Sequence, residues 1–555
     1  MDEQENKVPV KHLRKTLSTV KSALRCLLVG VLGFFLITAI IFQAPWKVIT
    51  LLVIFLLACT VLPRALRKWF WLSVGAVVVA LVVWVFLPDD NEGWRPYTFD
   101  EELAALEAKY AIPPEENAAT IYNELSDNYD KNAFYANLPD DERWRLPMRE
   151  PWLSKEEPQI AEWLQQNQTT MATLMKASKI EKCQFPISVD TKPNANSKRM
   201  KRLARMRNLP YLCISAANND IAEGRIDEGL QKHITTLQIG KHQCQQLTII
   251  DALVGIAIEA LAIEQINRFV VTEDSTAEHL KIIEESLAKM KHDWSADFSR
   301  ILEYEKLFCK NWVGRFYEID PRTNKIRLSR DPLADWRAVW EENIKDQQQI
   351  KQRRQWLRVY IYPNYWQKKI IRAHTLLRWL FLPSNPKKVG KIIDTIFDKY
   401  YAMAKPVFDW EKQPKKPPTP SMATPSESVW PSFNQRQAVE RLAYISGHHY
   451  HKLHDIYLRH LSSQKGCQIL IALRRYKNKH GTWPKSLDDI KELTTPEILI
   501  DPINGGSFVY RRTNDSFTLH SKGKDNIDDN GEYPDDWPIW PSQYYRTKKE
   551  NTDAE

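Results

Sequence analysis

The sequence predicts a mainly α protein: three N-terminal transmembrane helices, a helical ectodomain, and a small α+β C-terminal module of a long helix, a β-hairpin and an acidic loop. Three observations predict it. The long apolar runs lie almost entirely before residue 88. From Trp94 to about Trp410 the apolar residues follow a helical period, whereas near 508–519 they alternate with a period of two. At 555 residues the chain has room for two or more ordered units.

The predicted anchor comes first. A basic tail, 1–25, precedes apolar runs at Cys26–Gln43, Val48–Pro63 and Trp69–Leu87. A bilayer crossing needs roughly 20 apolar residues; the first and third runs approach that and the second is short. Lys7, Lys11, Arg14, Lys15, Lys21 and Arg25 precede the first run, and Arg64, Arg67 and Lys68 separate the second from the third. The positive-inside rule then predicts a cytoplasmic N-terminus, three spans over 26–87 in a bacterial cytoplasmic membrane with lipid around them, and an extracytoplasmic remainder. The first run is too long for a signal-peptide core and no small-x-small site follows it. The interiors of the three runs carry no ionisable residue, which argues against an ion pathway.

Charge follows the same division. Residues 1–87 hold ten Lys and Arg against three Asp and Glu, a net +7 of the chain's +9. The remainder is nearly neutral and predicts no nucleic-acid partner. Its one basic cluster, SKRMKRLARMR at 197–207, reads as a solvated helix face with Met200, Leu203, Ala204 and Met206 beneath.

Residues 88–410 read as the helical domain. FDEELAALEAKY, EENAATIYNEL and STAEHLKIIEESLAKM are amphipathic, and IPPE, NLPDDERW and PNANS separate such segments. Around AEGRIDEGL, Gly224 marks a turn between two close-packed antiparallel helices, with no second copy at a fixed period. TIIDALVGIAIEALAIEQINRF is apolar nearly all round and so central. It carries Asp251, Glu259 and Glu264, candidates for a buried acid site, for helix caps or for buried hydrogen bonding. Asp251 and Glu259 stand roughly 12 Å apart along a helix axis, too far for a glycosidase pair without a partner from another helix. Residues 350–383 mix aromatics with cations, as a helical pair with snorkelling Lys and Arg does. A Pro/Ser-rich linker follows at 411–432.

The C-terminal module spans 433–555. A proline-free stretch, 434–480, predicts one long helix or two joined near Gly466, stopped at Gly481. SFVYRR and SFTLHS flank a turn as a hairpin. Six carboxylates then crowd between Asp525 and Asp536. Calcium takes six to eight oxygens, which such a loop, opened by Gly523 and Gly531, supplies. An EF-hand register fails because its twelfth position falls on Trp537. A second candidate, HHYHKLHD, puts His448, His451 and Asp455 on one helical face, a spacing suited to a transition metal. Five cysteines lie beyond the apolar runs, an odd number that permits one or two disulfides and fixes none.

ILIALRRYKNKHGTWPKSL, DPINGGSFVY, FTLHSKGKDNIDDNG and DDWPIW, within 465–540, resemble the major pseudopilin of type II secretion systems. The chain as a whole resembles uncharacterised membrane-anchored bacterial proteins that carry EENAATIY and this ending. The pseudopilin resemblance implies a calcium loop through Asp525 and Asp535 or Asp536, with Asp528 and Asp529 as further candidates. It does not imply a pseudopilus, because the predicted anchor lies far upstream of the module's own helix.

The resulting expectation is an extracytoplasmic binding or scaffold protein with structural calcium and a protein partner in the envelope. The alternative is an envelope hydrolase using the acids or histidines of the helical domain. No nucleophile elbow, P-loop or dinucleotide fingerprint occurs.

Overall fold

The computed structural model describes residues 29–33, 36, 46–61, 63–86, 93–127, 147–187, 193–329, 382–405, 435–443, 448–513 and 515–542. Helices dominate, as their apolar period requires. Helix α1 is Trp46–Thr60 and α2 is Arg64–Phe86. Among the described residues, no helix is long and apolar enough to cross a membrane. This overturns the three-span anchor and the placement in a bacterial cytoplasmic membrane that rested on it. Fifteen residues give α1 about 22 Å against a hydrocarbon core of about 30 Å. Helix α2 spends its first turn on Arg64, Arg67 and Lys68. Of the first apolar run, only 29–33 and 36 are described.

The helical body opens with β1 (Arg95–Pro96), which pairs antiparallel with β2 (Tyr317–Ile319), itself paired with β3 (Ile326–Leu328). Four short helices follow β1: α3 (Asp100–Tyr110), α4 (Ala119–Asp127), α5 (Pro158–Gln166) and α6 (Gln168–Ser178). They frame a central trio, α7 (Pro193–Ala222), α8 (Ile226–Cys244) and α9 (Ile249–Thr272). Gly224, at φ +82°, makes the α7–α8 turn in the left-handed region where glycine carries no penalty. Small residues set how close α8 and α9 come. A Cβ on Gly240 would lie 2.4 Å from Glu259 Cγ, and one on Gly255 would lie 2.5 Å from Cys244 Sγ. Helices α10 (Ala277–Ala288), α11 (Trp294–Gly314), α12 (Pro386–Met403) and α13 (Gln435–Ala443) complete the body.

Helix α14, His448–His480, runs unbroken through Gly466, which faces Ile539 closely enough to exclude a side chain. Of the two alternatives, one long helix or two joined near Gly466, residues 448–480 form the single helix. Gly481, at φ +77°, ends the helix, its N–H bonding to the Lys477 carbonyl at 2.7 Å. Strands β4 (Val509–Arg512) and β5 (Phe517–Ser521) form the expected hairpin, with Tyr510 opposite Leu519. A third strand, β6 (Trp537–Trp540), pairs with β5 and brackets the acidic loop.

Helix α14 also packs on α9 and α10. One apolar core joins Ile266, Phe269 and Ile283 of the body to Leu470, Phe517 and Ile539 of the C-terminal segment. Each such fully buried side chain contributes about 1.5–3 kcal/mol. The linker 411–432 and the aromatic-cationic residues 350–381 lie outside the described residues. Among the described residues, Cys183, Cys213, Cys244, Cys309 and Cys467 form no disulfide.

Candidate metal centres

The acidic loop is built around one buried acid. β5 ends at Ser521, Gly523 turns at φ +64° with its Cα side against the Asp535 carbonyl, and the chain returns at Trp537. Asp536 is 1% exposed. Its Oδ2 accepts the Gly531 N–H at 2.6 Å, whereas Oδ1 is buried with no hydrogen-bond partner among the described residues. His520 Nε2 stands 3.0 Å from Asp528 Oδ1 and 3.6 Å from Asp536 Oδ2, so these three side chains form one cluster. Arg511 also pairs with Asp528, at 2.5 Å.

The remaining predicted ligands divide. Asp529 is raised from its ordinary value, through local desolvation first and then the charges of Asp536, Asp525 and Asp535. These acids therefore share one electrostatic neighbourhood. Asp525 and Asp535 are exposed, and Asp525 Oδ1 accepts the Ile527 N–H at 3.1 Å, closing a local turn. The second predicted cluster is largely out of view, since the side chains of His448 and His451 lie outside the described ones. Asp455 pairs with Lys524 of the acidic loop, which ties that loop to α14.

A different constellation lies beneath α14. Glu259, at mid-length in α9, is 0% exposed. Its Oε2 meets His292 Nε2 at 2.9 Å, His460 Nε2 at 2.6 Å and Gln464 Nε2 at 3.3 Å. Burial acts to raise Glu259, but the two imidazoles outweigh it and hold the carboxyl down at about 2. Burial likewise acts to lower His292, and Glu259 with Asp297 outweighs it, lifting the imidazole to about 10. The pair is thus a buried imidazolium–carboxylate ion pair. Cys244, the last residue of α8, brings its thiol beside them, and its ionisation is pushed upward by burial and then by Glu259.

Sequence reasoning found Glu259 and missed His292, His460, Cys244 and His520. These residues come from separate elements, and no fixed spacing connects them. The third acid set behaves as capping. Asp251 accepts the Thr248 hydroxyl at 2.6 Å while Thr248 caps α9 through the Asp251 N–H at 3.1 Å. Asp251 also borders a cleft with Arg199, Arg202, Phe185 and Tyr304. Glu264 accepts the Ser542 hydroxyl at 2.6 Å. In the basic cluster, Leu203 and Met206 are buried as expected, but Met200 is exposed. Arg202 lies over the Phe185 ring at 4.0 Å.

No family model, curated protein or solved structure matches the chain. The pseudopilin likeness therefore rests on the residues of 465–540 alone.

Proposed function

We propose that this is a binding or scaffold protein whose C-terminal module is packed onto a helical body, with calcium closing the 521–536 loop. The observation that carries the reading is Asp536. A carboxylate oxygen buried without a partner costs several kcal/mol unless a cation or a proton compensates it. Asp528 lies in the same cluster, Asp529 and Asp535 share its electrostatic neighbourhood, and calcium is the hard cation that carboxylate ligands suit. His520 donates to Asp528 from the side and keeps that carboxylate oriented.

The architecture supports a scaffold. The module is anchored to the body through a shared apolar core, and its loop is tied to α14 by the Asp455–Lys524 pair, so a fixed loop would present β4–β6 and the loop surface in one constant orientation to a protein partner. The hydrolase alternative draws on Glu259, but that carboxylate is fully enclosed and engaged by two histidines, out of reach of a substrate.

The test is thermal unfolding of the full chain with chelator and with excess Ca²⁺, beside Asp536→Asn. Saturation at 100 times the dissociation constant stabilises by about 2.7 kcal/mol. The wild type should shift upward by several degrees and Asp536→Asn should not. A folded wild-type chain whose unfolding ignores Ca²⁺ would end the calcium reading.

A further inference from the structure

The buried constellation under α14 has a chemistry distinct from the loop. Cys244 Sγ, a Glu259 carboxylate oxygen and a His292 ring nitrogen all fall within 4.8 Å of one another. We propose that Cys244, Glu259 and His292 bind a divalent transition metal of the zinc class, with His460 positioning the Glu259 carboxylate from α14.

The donor set selects the metal. Thiolate, imidazole and carboxylate together suit zinc, whereas calcium takes oxygen alone. Zinc bonds run at about 2.3 Å to sulfur and about 2.0–2.2 Å to nitrogen and oxygen, so donors around one ion stand no more than about 4.5 Å apart. The three donor atoms, within 4.8 Å of one another, are close to that spacing, and the ion would replace the proton shared by Glu259 and His292 at 2.9 Å. On binding, the Cys244 thiol and the His292 imidazolium would each release a proton to solvent, so that one thiolate and one carboxylate match the charge of the ion and a neutral imidazole completes the set.

Three further observations point to a ligand at this position. Glu259 Oε1 is buried without a hydrogen-bond partner, although Oε2 receives three. An outer carboxylate stands behind the histidine, with Asp297 Oδ2 3.6 Å from His292 Nδ1, the arrangement that orients a metal-binding imidazole. Arg300 Nη2 then donates to both Asp297 Oδ1, at 3.0 Å, and the Cys244 carbonyl, at 2.8 Å, which fixes the end of α8 relative to that carboxylate. Gly240 and Gly255 allow the approach, since a side chain at either would strike Glu259 or Cys244.

The test uses the full chain, stripped with chelator and titrated with Co²⁺ followed by Zn²⁺. One equivalent of Co²⁺ should produce a thiolate-to-cobalt charge-transfer band in the near ultraviolet, and Zn²⁺ should abolish it. Cys244→Ser, folded by circular dichroism, should lose the band. His292→Ala should weaken Co²⁺ binding at least about tenfold, and His460→Gln should weaken it less. A folded wild-type chain without the band would overturn the proposal. So would a band that survives in Cys244→Ser, because another thiol would then be the ligand. Neither result depends on the acidic loop, whose Ca²⁺ response is read separately by Asp536→Asn.

Discussion

The Glu259 centre and the acidic loop combine the same side chains, carboxylates and imidazoles, to opposite ends. Under α14 one carboxylate is surrounded by two imidazoles, and the result is a compensated charge in a sealed interior. In the loop six carboxylates meet one buried imidazole, and Asp529 is pushed upward by desolvation first and then by the negative charges of its neighbours. The difference lies in the ratio of acid to base and in the depth of burial. A balanced cluster compensates its own charge between two segments of a protein, while an acid-rich cluster leaves negative charge for protons or solvent to offset.

That contrast predicts a graded series of effects. The largest belongs to Glu259. Glu259→Ala leaves two imidazoles facing an emptied interior and should cost about 3–5 kcal/mol, the usual consequence of breaking a buried ion pair. Denaturant unfolding of the full chain measures it, and a loss under about 1 kcal/mol would place the strength of the α9–α14 contact in its apolar core alone.

Next comes Gly240→Ala. Its new methyl would fall 2.4 Å from Glu259 Cγ and should cost about 1–3 kcal/mol through overpacking. The equivalent change at Gly505, which has open space around it, tests the contrast, since any cost there comes from its φ of +73° and not from crowding.

A pH prediction concerns His233 on α8, which is fully buried, with both ring nitrogens lacking hydrogen-bond partners among the described residues. Burial first, then the charges of Arg268 and Lys232, lowers it from 6.5 to about 3. In the unfolded chain it gains a proton below about 6.5, while in the folded chain it does not. Stability from this group is therefore complete above about 6.5 and declines as pH falls toward about 3, by up to about 1.4 kcal/mol per unit. The slope of unfolding free energy against pH over that window should be shallower in His233→Leu than in the wild type. Equal slopes would refute the assignment.

The smallest effect is expected at the loop's tether. Lys524→Ala removes an exposed ion pair with Asp455 and should cost no more than about 1 kcal/mol, less in high salt. A larger loss would show that the loop is fixed to α14 before any cation binds.

Local chemistry along the chain was enough to specify several elements. Gly224 and Gly481 mark where helices turn or stop because only glycine takes up a left-handed backbone freely. The alternation in SFVYRR and SFTLHS specifies the hairpin because one face must be apolar, and the apolar circumference of 248–269 places α9 at the centre. The acid density of 525–536 likewise advertised a charged loop, although nothing local showed that Asp536 alone would be buried there. At the N-terminus hydropathy does not give span length, because α1 is only fifteen residues long and α2 begins on the basic residues from Arg64.

What the tertiary structure decided was convergence. Cys244, Glu259, His292 and His460 belong to four segments, and their meeting depends on two glycines at the α8–α9 crossing and on the lie of α14 across α9. Strand β6 is similar, since WPIW carries no alternation of its own and becomes a strand because β5 offers an open edge. A sequence fixes φ preferences and apolar period, which are properties of neighbours in the chain. Distances between segments arise from packing, so a site assembled from remote residues appears when the core closes.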